Sequence, residues 1–287
     1  ALLVPGGKAK AGWVLLQGLG KRDEFCLQRL RRAAARATRR AARIEAGRVA
    51  TWTGELATSG FDARSLARCV AEGTQLALAP TGALKSERGA KKHPRSWKLT
   101  VGDKGDLAPW RRGVREGEAF AAGTLFAREL VDMPGNHLTP VKLAENSRAM
   151  AAEEGLKCRL HGPAQLKRWK MGGILGVARG SVEEPRLIVL EGGSKSKRAP
   201  HVVLVGKGVT FDAGGISLKP PPGMADMKGD MAGAAAVLGA AAIVAARKIP
   251  VHLLVLVPAA ENMPDGHAIK PADVLEMASG LTVEVLN

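Results

Sequence analysis

The run Gly206-Lys-Gly-Val-Thr-Phe-Asp-Ala-Gly-Gly-Ile-Ser-Leu-Lys219, followed by Met227-Lys-Gly-Asp-Met231, holds the residue types best suited to chemistry. Lys207, Lys219, Asp212 and Asp230 are set among glycines, between an apolar strand-like run, His201 to Val205, and an apolar helix-like run from Met231. Open α/β sheets bind ligands at the carboxyl ends of their strands, so the position marks a candidate site. Carboxylates suit hard divalent cations, and a nearby cation together with burial favours a neutral, ligating lysine. A simpler reading makes Asp230 the N-cap of the following helix and the lysines solvated loop residues.

Other chemistries have less support. The run lacks the glycine spacing before Lys-Ser/Thr of a phosphate loop, and Gly206-x-Gly208 lacks the third glycine of a dinucleotide fingerprint. None of the six histidines forms a His-Glu-x-x-His pair, and neither Ser181 nor Ser217 lies in Gly-x-Ser-x-Gly. Cys26, Cys69 and Cys158 are odd in number and far apart, which fits a reduced, cytoplasmic compartment better than a disulfide framework.

The elements that must position these residues follow from periodicity. The second half alternates: a helix from Thr139-Pro140 to about Glu154, a strand Cys158–His161, a helix Pro163–Arg168, strands Arg186–Leu190 and His201–Val205, a helix from about Met231 to Arg247, and a strand Val251–Val257. The last two strands are nearly continuous apolar runs, as expected where helices cover both faces of a parallel sheet. In the first half a strand is predicted at Trp13–Gln17 and helices at Glu24–Ala46, Ala63–Leu78 and Gly113–Leu130, with an irregular Gly/Pro/Lys/Arg-rich stretch over Pro80–Asp106. The expected architecture is α/β: a small basic α/β domain over 1–112, then an incomplete α/β/α sandwich with a largely parallel central sheet over 113–287.

The 287 residues carry a formal charge of +16, with the excess concentrated in the first hundred residues. On the Glu24–Ala46 helix Arg29, Arg32, Arg36, Arg39, Arg40 and Arg43 form one face. A solvated face is the favoured reading, because aromatic residues for base stacking are few; contact with nucleic acid is the alternative. No stretch reaches the ~18 consecutive apolar residues of a membrane span, so no membrane partner is expected. No secretory signal is visible, and the absence of an initiator Met suggests a fragment or processed chain.

The run from Val205 to Lys219, with Met227-Lys-Gly-Asp-Met-Ala-Gly-Ala-Ala-Ala-Val237, closely resembles the core of the leucyl aminopeptidases of the cytosol aminopeptidase family. The resemblance extends to Leu130-Val-Asp-Met-Pro-Gly-Asn-His-Leu-Thr-Pro140, to Gly180-Ser181 with Pro185-Arg-Leu-Ile-Val189, and to Glu261–Gly266 through Val283–Asn287. It implies removal of N-terminal, often leucine, residues from peptide substrates by two divalent ions, manganese or zinc. It implies Lys207, Asp212 and Asp230 as metal ligands, with Asp212 between the ions. It also implies Lys219 as the catalytic cation at the scissile carbonyl, Met227 in the pocket for the first side chain and Asn287 beside the next.

The family assembles into homo-oligomers, hexamers, which the resemblance extends to this chain. In the family the position of Asn287 is followed by a further Asp, a bridging Glu and an Arg associated with bicarbonate as general base. The 287-residue chain alone is therefore expected to be inactive, and to leave a sheet edge unpaired.

Overall fold

The computed structural model describes residues 1–7, 11–54, 56, 59–79, 84–86, 94–101 and 106–286. The chain forms two compact units, Ala1–Ala122 and Gly123–Asn287. The join expected at 112/113 and the division at 122/123 both lie inside one long helix, α3 (Ala108–Asp132). The reason lies in its glycines. A Cβ at Gly113 would sit 2.2 Å from the Arg64 carbonyl oxygen, and one at Gly123 would sit 2.6 Å from that of Gly239, so the two ends of one helix pack within different units.

In the first unit β1 (Leu2–Pro5) and β2 (Trp13–Leu16) form an antiparallel pair. They are followed by α1 (Leu27–Arg43), β3 (Arg48–Trp52), α2 (Ala63–Leu78) and β4 (Ser96–Thr100), with β4 parallel to β3. Small residues let α1 and α2 approach closely: a Cβ at Gly73 would meet the Arg31 carbonyl oxygen at 2.3 Å. Leu30, Leu56, Leu66, Cys69 and Val70 form the core, with Phe25 edge-on to Phe61 beside it. Arg32, Arg36, Arg39, Arg40 and Arg43 lie on the exposed face of α1, while Arg29 pairs with Glu24 at 2.6 Å and Arg31 with Glu72 at 2.9 Å. β3 and β4 were not expected; β4 falls in the stretch read as irregular, and its pairing with β3 is non-local.

One ion pair in this unit is asymmetric. Arg64 Nε lies 2.8 Å from both carboxylate oxygens of Glu116, whose side chain is 3% exposed against 45% for Arg64. Arg112 Nε stands farther off, 3.6 Å from the same carboxylate, so removing Arg64 leaves the buried charge with a weaker ion pair, whereas removing Glu116 leaves cations that water can reach. Arg64→Met is therefore expected to destabilise the unit by about 2–4 kcal/mol, and Glu116→Gln by less. Denaturant midpoints in the reverse order would refute this account.

The second unit continues with α4 (Pro140–Glu153), β5 (Lys157–His161), α5 (Pro163–Arg168), α6 (Gly172–Val177), β6 (Arg186–Gly193), β7 (His201–Val205), β8 (Gly208–Asp212), α7 (Ala232–Ala246) and β9 (His252–Asn262). A small antiparallel pair, β10 (Val274–Glu276) and β11 (Thr282–Glu284), closes the described chain. The sheet order is β5-β6-β9, with β7 and β8 following one another along the outer side of β9. Only β6 runs against the direction shared by β5, β7, β8 and β9, so the sheet is largely parallel.

Helices lie on both faces of this sheet. Leu143 and Met150 of α4 and Ala234 and Leu238 of α7 pack with Ile188, Val255 and Val257, while Leu166, Ile174 and Leu175 pack with Leu187, Val189 and Leu256. This is the expected α/β/α arrangement. Along β7, Val203 and Val205 remain 55% and 66% exposed. The outer edge of β7 and β8 has no partner strand among the described residues.

By length and composition Met224–Ala246 could cross a membrane, contrary to the count of consecutive apolar residues. In the structure it is broken into a 3-10 helix, Met224–Gly229, and α7, whose Ala234, Ala235, Leu238, Ala241 and Ala242 lie in the core. A helix apolar on all sides is the kind a core accepts. A Cβ at Gly239 would stand 2.5 Å from the Gly123 carbonyl oxygen and 3.3 Å from Ala127 Cβ. Gly to Ala inside a helix ordinarily stabilises by up to ~1 kcal/mol, but this clash with backbone reverses the sign. Gly239→Ala is expected to lower stability by about 1–3 kcal/mol, and a rise in thermal midpoint would refute the packing argument.

Candidate metal centre

Glycine packing fixes the start of the site. Gly206 and Lys207 join β7 to β8, and a Cβ at Gly206 would meet the Gly233 carbonyl oxygen at 2.6 Å. The Lys207 carbonyl accepts from the Ala234 amide in the first turn of α7 at 2.8 Å, which holds Lys207 against the helix start. Its Nζ lies 2.7 Å from Asp230 Oδ2. Asp230 does not cap α7: Met231 holds that position, fully buried, and makes no side-chain cap bond. The N-cap reading is thereby replaced by an ion pair.

Asp212 was expected on a glycine-rich loop; it is instead the last residue of β8. The β8–β9 register shifts between Val209 and Asp212. Such a bulge re-aims the side chain beyond it. The chain then turns through Gly214 (φ 93°) and Gly215 (φ 68°), conformations that suit glycine. The Lys219 amide donates to the Ala213 carbonyl at 2.9 Å, returning Lys219 to the end of β8.

Lys219 Nζ donates to Asp212 Oδ2 at 2.6 Å and to Met227 Sδ, on the 3-10 helix, at 3.0 Å. Asp212 Oδ1 accepts from the Gly214 amide at 3.0 Å and from Asn262 Nδ2 at 2.7 Å. Burial pushes the Asp212 carboxyl up, but the hydrogen bonds from Lys219, Asn262 and Gly214, with the Lys219 charge, outweigh it and hold the group below the usual carboxylate range.

The structure thus brings Asp212, Lys219 and Met227 into contact and pairs Lys207 with Asp230. Among the described residues no hydrogen bond or ion pair joins the two sets. Asn287 lies outside the described residues. Asn262 was not singled out in the sequence; its signal was a pair of polar residues, Glu261-Asn262, ending a long apolar strand.

The donors fit a divalent cation in part. Asp212 and Asp230 supply hard oxygens, and Asp230 Oδ2 is buried without a hydrogen bond of good geometry, although Lys207 Nζ stands beside it. Among the described residues no group of three His, Cys, Asp or Glu could hold a metal, so two carboxylates and lysine amines are what those residues present here.

Residues 125–287 match the cytosol aminopeptidase family, catalytic domain, and residues 1–88 match the N-terminal domain of the same family. The chain belongs to the cytosol aminopeptidase family. It is 42% identical over 292 residues to a probable cytosol aminopeptidase of Roseiflexus castenholzii, covering 100% of this chain and 58% of that protein. It is 41% identical over 281 residues to a cytosol aminopeptidase of Pseudomonas aeruginosa, covering 97% of this chain and 56% of that protein.

Among solved structures, the bottromycin maturation enzyme BotP in complex with Mn superposes with a TM-score of 0.87 at 36% identity, over 99% of this chain and 58% of BotP. A second BotP structure gives a TM-score of 0.84 at 37% identity, with the same coverage. The chain therefore spans about three fifths of the length of these relatives.

Proposed function

We propose that this chain supplies metal-binding and electrostatic groups of an aminopeptidase that removes N-terminal, leucine-like residues from peptides with two divalent ions, manganese or zinc, and bicarbonate. The observation that carries the reading is the contact of Lys219 with Asp212 and Met227 at the end of β8. Its support from outside is membership of the family and likeness to a relative solved with manganese.

In this reading Lys207, Asp212 and Asp230 hold the ions. When bound, these supply Lewis acidity toward the peptide amine and carbonyl and a water of lowered pKa. Lys219 binds and polarises the scissile carbonyl. An ammonium has three N–H donors; Asp212 and Met227 take two, and among the described residues the third is left for an incoming oxygen. Met227, touching Lys219, lines the apolar pocket for the first side chain, and Asn287 stands beside the second. The basic N-terminal unit has no part in the chemistry, which belongs to the second unit. The working protein is a cytoplasmic homo-oligomer, a hexamer.

Two carboxylates and lysine amines do not fill the coordination of two such ions, about four ligands each for zinc and about six each for manganese. The 287 residues alone are therefore inactive in this reading. The test is leucine release from a leucyl peptide with manganese, by this chain and by a polypeptide of the relatives' full length built on it. Activity in the longer polypeptide alone is the expected result. Release by the 287 residues at an enzymatic rate would refute their incompleteness, and a folded, metal-loaded long form without activity would refute the aminopeptidase reading.

A further inference from the structure

We propose that Asn262 is a positioning residue for Asp212, orienting its carboxylate and thereby setting the affinity of this site for divalent ions. The metal part of the inference rests on the proposed reading of Asp212 as a ligand; the orienting contact stands on geometry alone.

Asn262 ends β9 and faces Asp212 across the bulge in the β8–β9 ladder. Its Nδ2 donates to Asp212 Oδ1 at 2.7 Å. A carboxylate at this point only accepts, so the amide must present its NH2 group there and its orientation is determined. The Asn262 backbone holds the same segment, because its carbonyl accepts from the Ala213 amide at 2.9 Å. One residue thus grips the chain at the Asp212 side chain and at the next peptide. A Cβ at Gly215 would lie 2.8 Å from Asn262 Oδ1, so the turn after Asp212 closes directly on this amide.

The support behind Asn262 is also fixed. Ser181 Oγ donates to the carboxylate of neighbouring Glu261, and a Cβ at Gly180 would meet the Met263 carbonyl oxygen at 2.0 Å. Thr210, buried beside the bulge, donates to the Ala260 carbonyl at 3.3 Å. The two oxygens of Asp212 are thereby distinguished. Asn262 and the Gly214 amide anchor Oδ1, while Oδ2 meets the Lys219 ammonium. A carboxylate anchored through one oxygen presents the other without first losing rotational freedom, and outer partners of this kind ordinarily contribute ~10–100-fold to metal affinity.

The test uses the chain as it stands, with Mn2+ as the probe and free ion counted by electron paramagnetic resonance. Asn262→Leu removes the donor at similar volume and is expected to weaken Mn2+ binding about 10–100-fold, with little change in thermal midpoint. In an Asp212→Ala background the same substitution is expected to have no further effect on Mn2+ binding. Unchanged affinity in Asn262→Leu, when the parent binds Mn2+ and Asp212→Asn does not, overturns the proposal while the metal reading survives.

A parent that binds no better than Asp212→Asn overturns the metal reading and the affinity claim with it. Nuclear magnetic resonance of the Asn262 side-chain amide then decides the orienting contact, and does so as well if Asn262→Leu fails to fold. Its protons are expected to shift in Asp212→Ala and not in Lys228→Ala. No shift in Asp212→Ala overturns the contact itself.

Discussion

Asp212→Asn is expected to weaken Mn2+ binding by more than about 100-fold while the second unit stays folded. Loss of a ligand should exceed the ~10–100-fold typical of a partner lying behind one. The substitution keeps an oxygen that can accept from Asn262 and Gly214, so the anchor at the end of β8 survives in part. It places an amide NH2 against the Lys219 ammonium, two donors facing each other where a 2.6 Å ion pair stood. Lys219 is 34% exposed and can turn to water, which limits the cost to stability to about 1–3 kcal/mol. Parallel titrations of Mn2+ into parent and variant, with denaturant curves, separate the two effects. Equal affinities would remove Asp212 from the metal site, and collapse of the fold would show that its role is structural.

How far such a site could be read from sequence depends on chain separation. Asp212 and Lys219 are seven residues apart and lie in one glycine-rich run, so the sequence already set them together. Asn262 is fifty residues from Asp212 in sequence, and nothing local in Glu261-Asn262 says which carboxylate it faces. That contact exists because β8 pairs with the far end of β9, a strand that runs beyond the expected Val257 to Asn262.

The same dependence separates the elements that were legible from those that were not. Pro163–Arg168 and His201–Val205 have the expected bounds, one opened by a proline at its first turn, the other a run of apolar residues. In α1 the helix begins at Leu27 and not Glu24, because the amides of Glu24 and Phe25 turn back to Lys21 and Arg22. Gly208–Asp212 read as loop because Gly206, Lys207 and Gly208 interrupt the apolar pattern, yet Gly208 is required where β8 closes on the Pro258 carbonyl. Gly172–Val177 hid a helix for a similar reason. Its glycines lower helix propensity, but a Cβ at Gly172 would stand 2.1 Å from the Glu276 carbonyl oxygen, so close packing overrides propensity.

Lys219→Met, placed in a polypeptide of the relatives' full length, is expected to lower kcat by about 100–1000-fold and to leave Mn2+ binding in place. The expectation follows from what Lys219 touches. Its Nζ sits between a carboxylate that fixes its position and a thioether that accepts only weakly, an arrangement that leaves donor capacity for an oxygen whose negative charge grows during the reaction. A fixed donor of this kind acts on the transition state more than on the bound peptide, and removing one elsewhere typically costs ~10²–10³ in rate, or about 3–4 kcal/mol.

Methionine fills much of the same volume and packs against Met227, so KM should move far less than kcat. If Lys219 were a metal ligand instead, Mn2+ affinity would fall together with kcat. If it served only as counter-ion to Asp212, Mn2+ affinity would rise and the rate would be kept. Measuring kcat, KM and Mn2+ affinity on one preparation distinguishes the three roles: the first lowers kcat alone, the second lowers kcat and Mn2+ affinity together, and the third raises Mn2+ affinity alone.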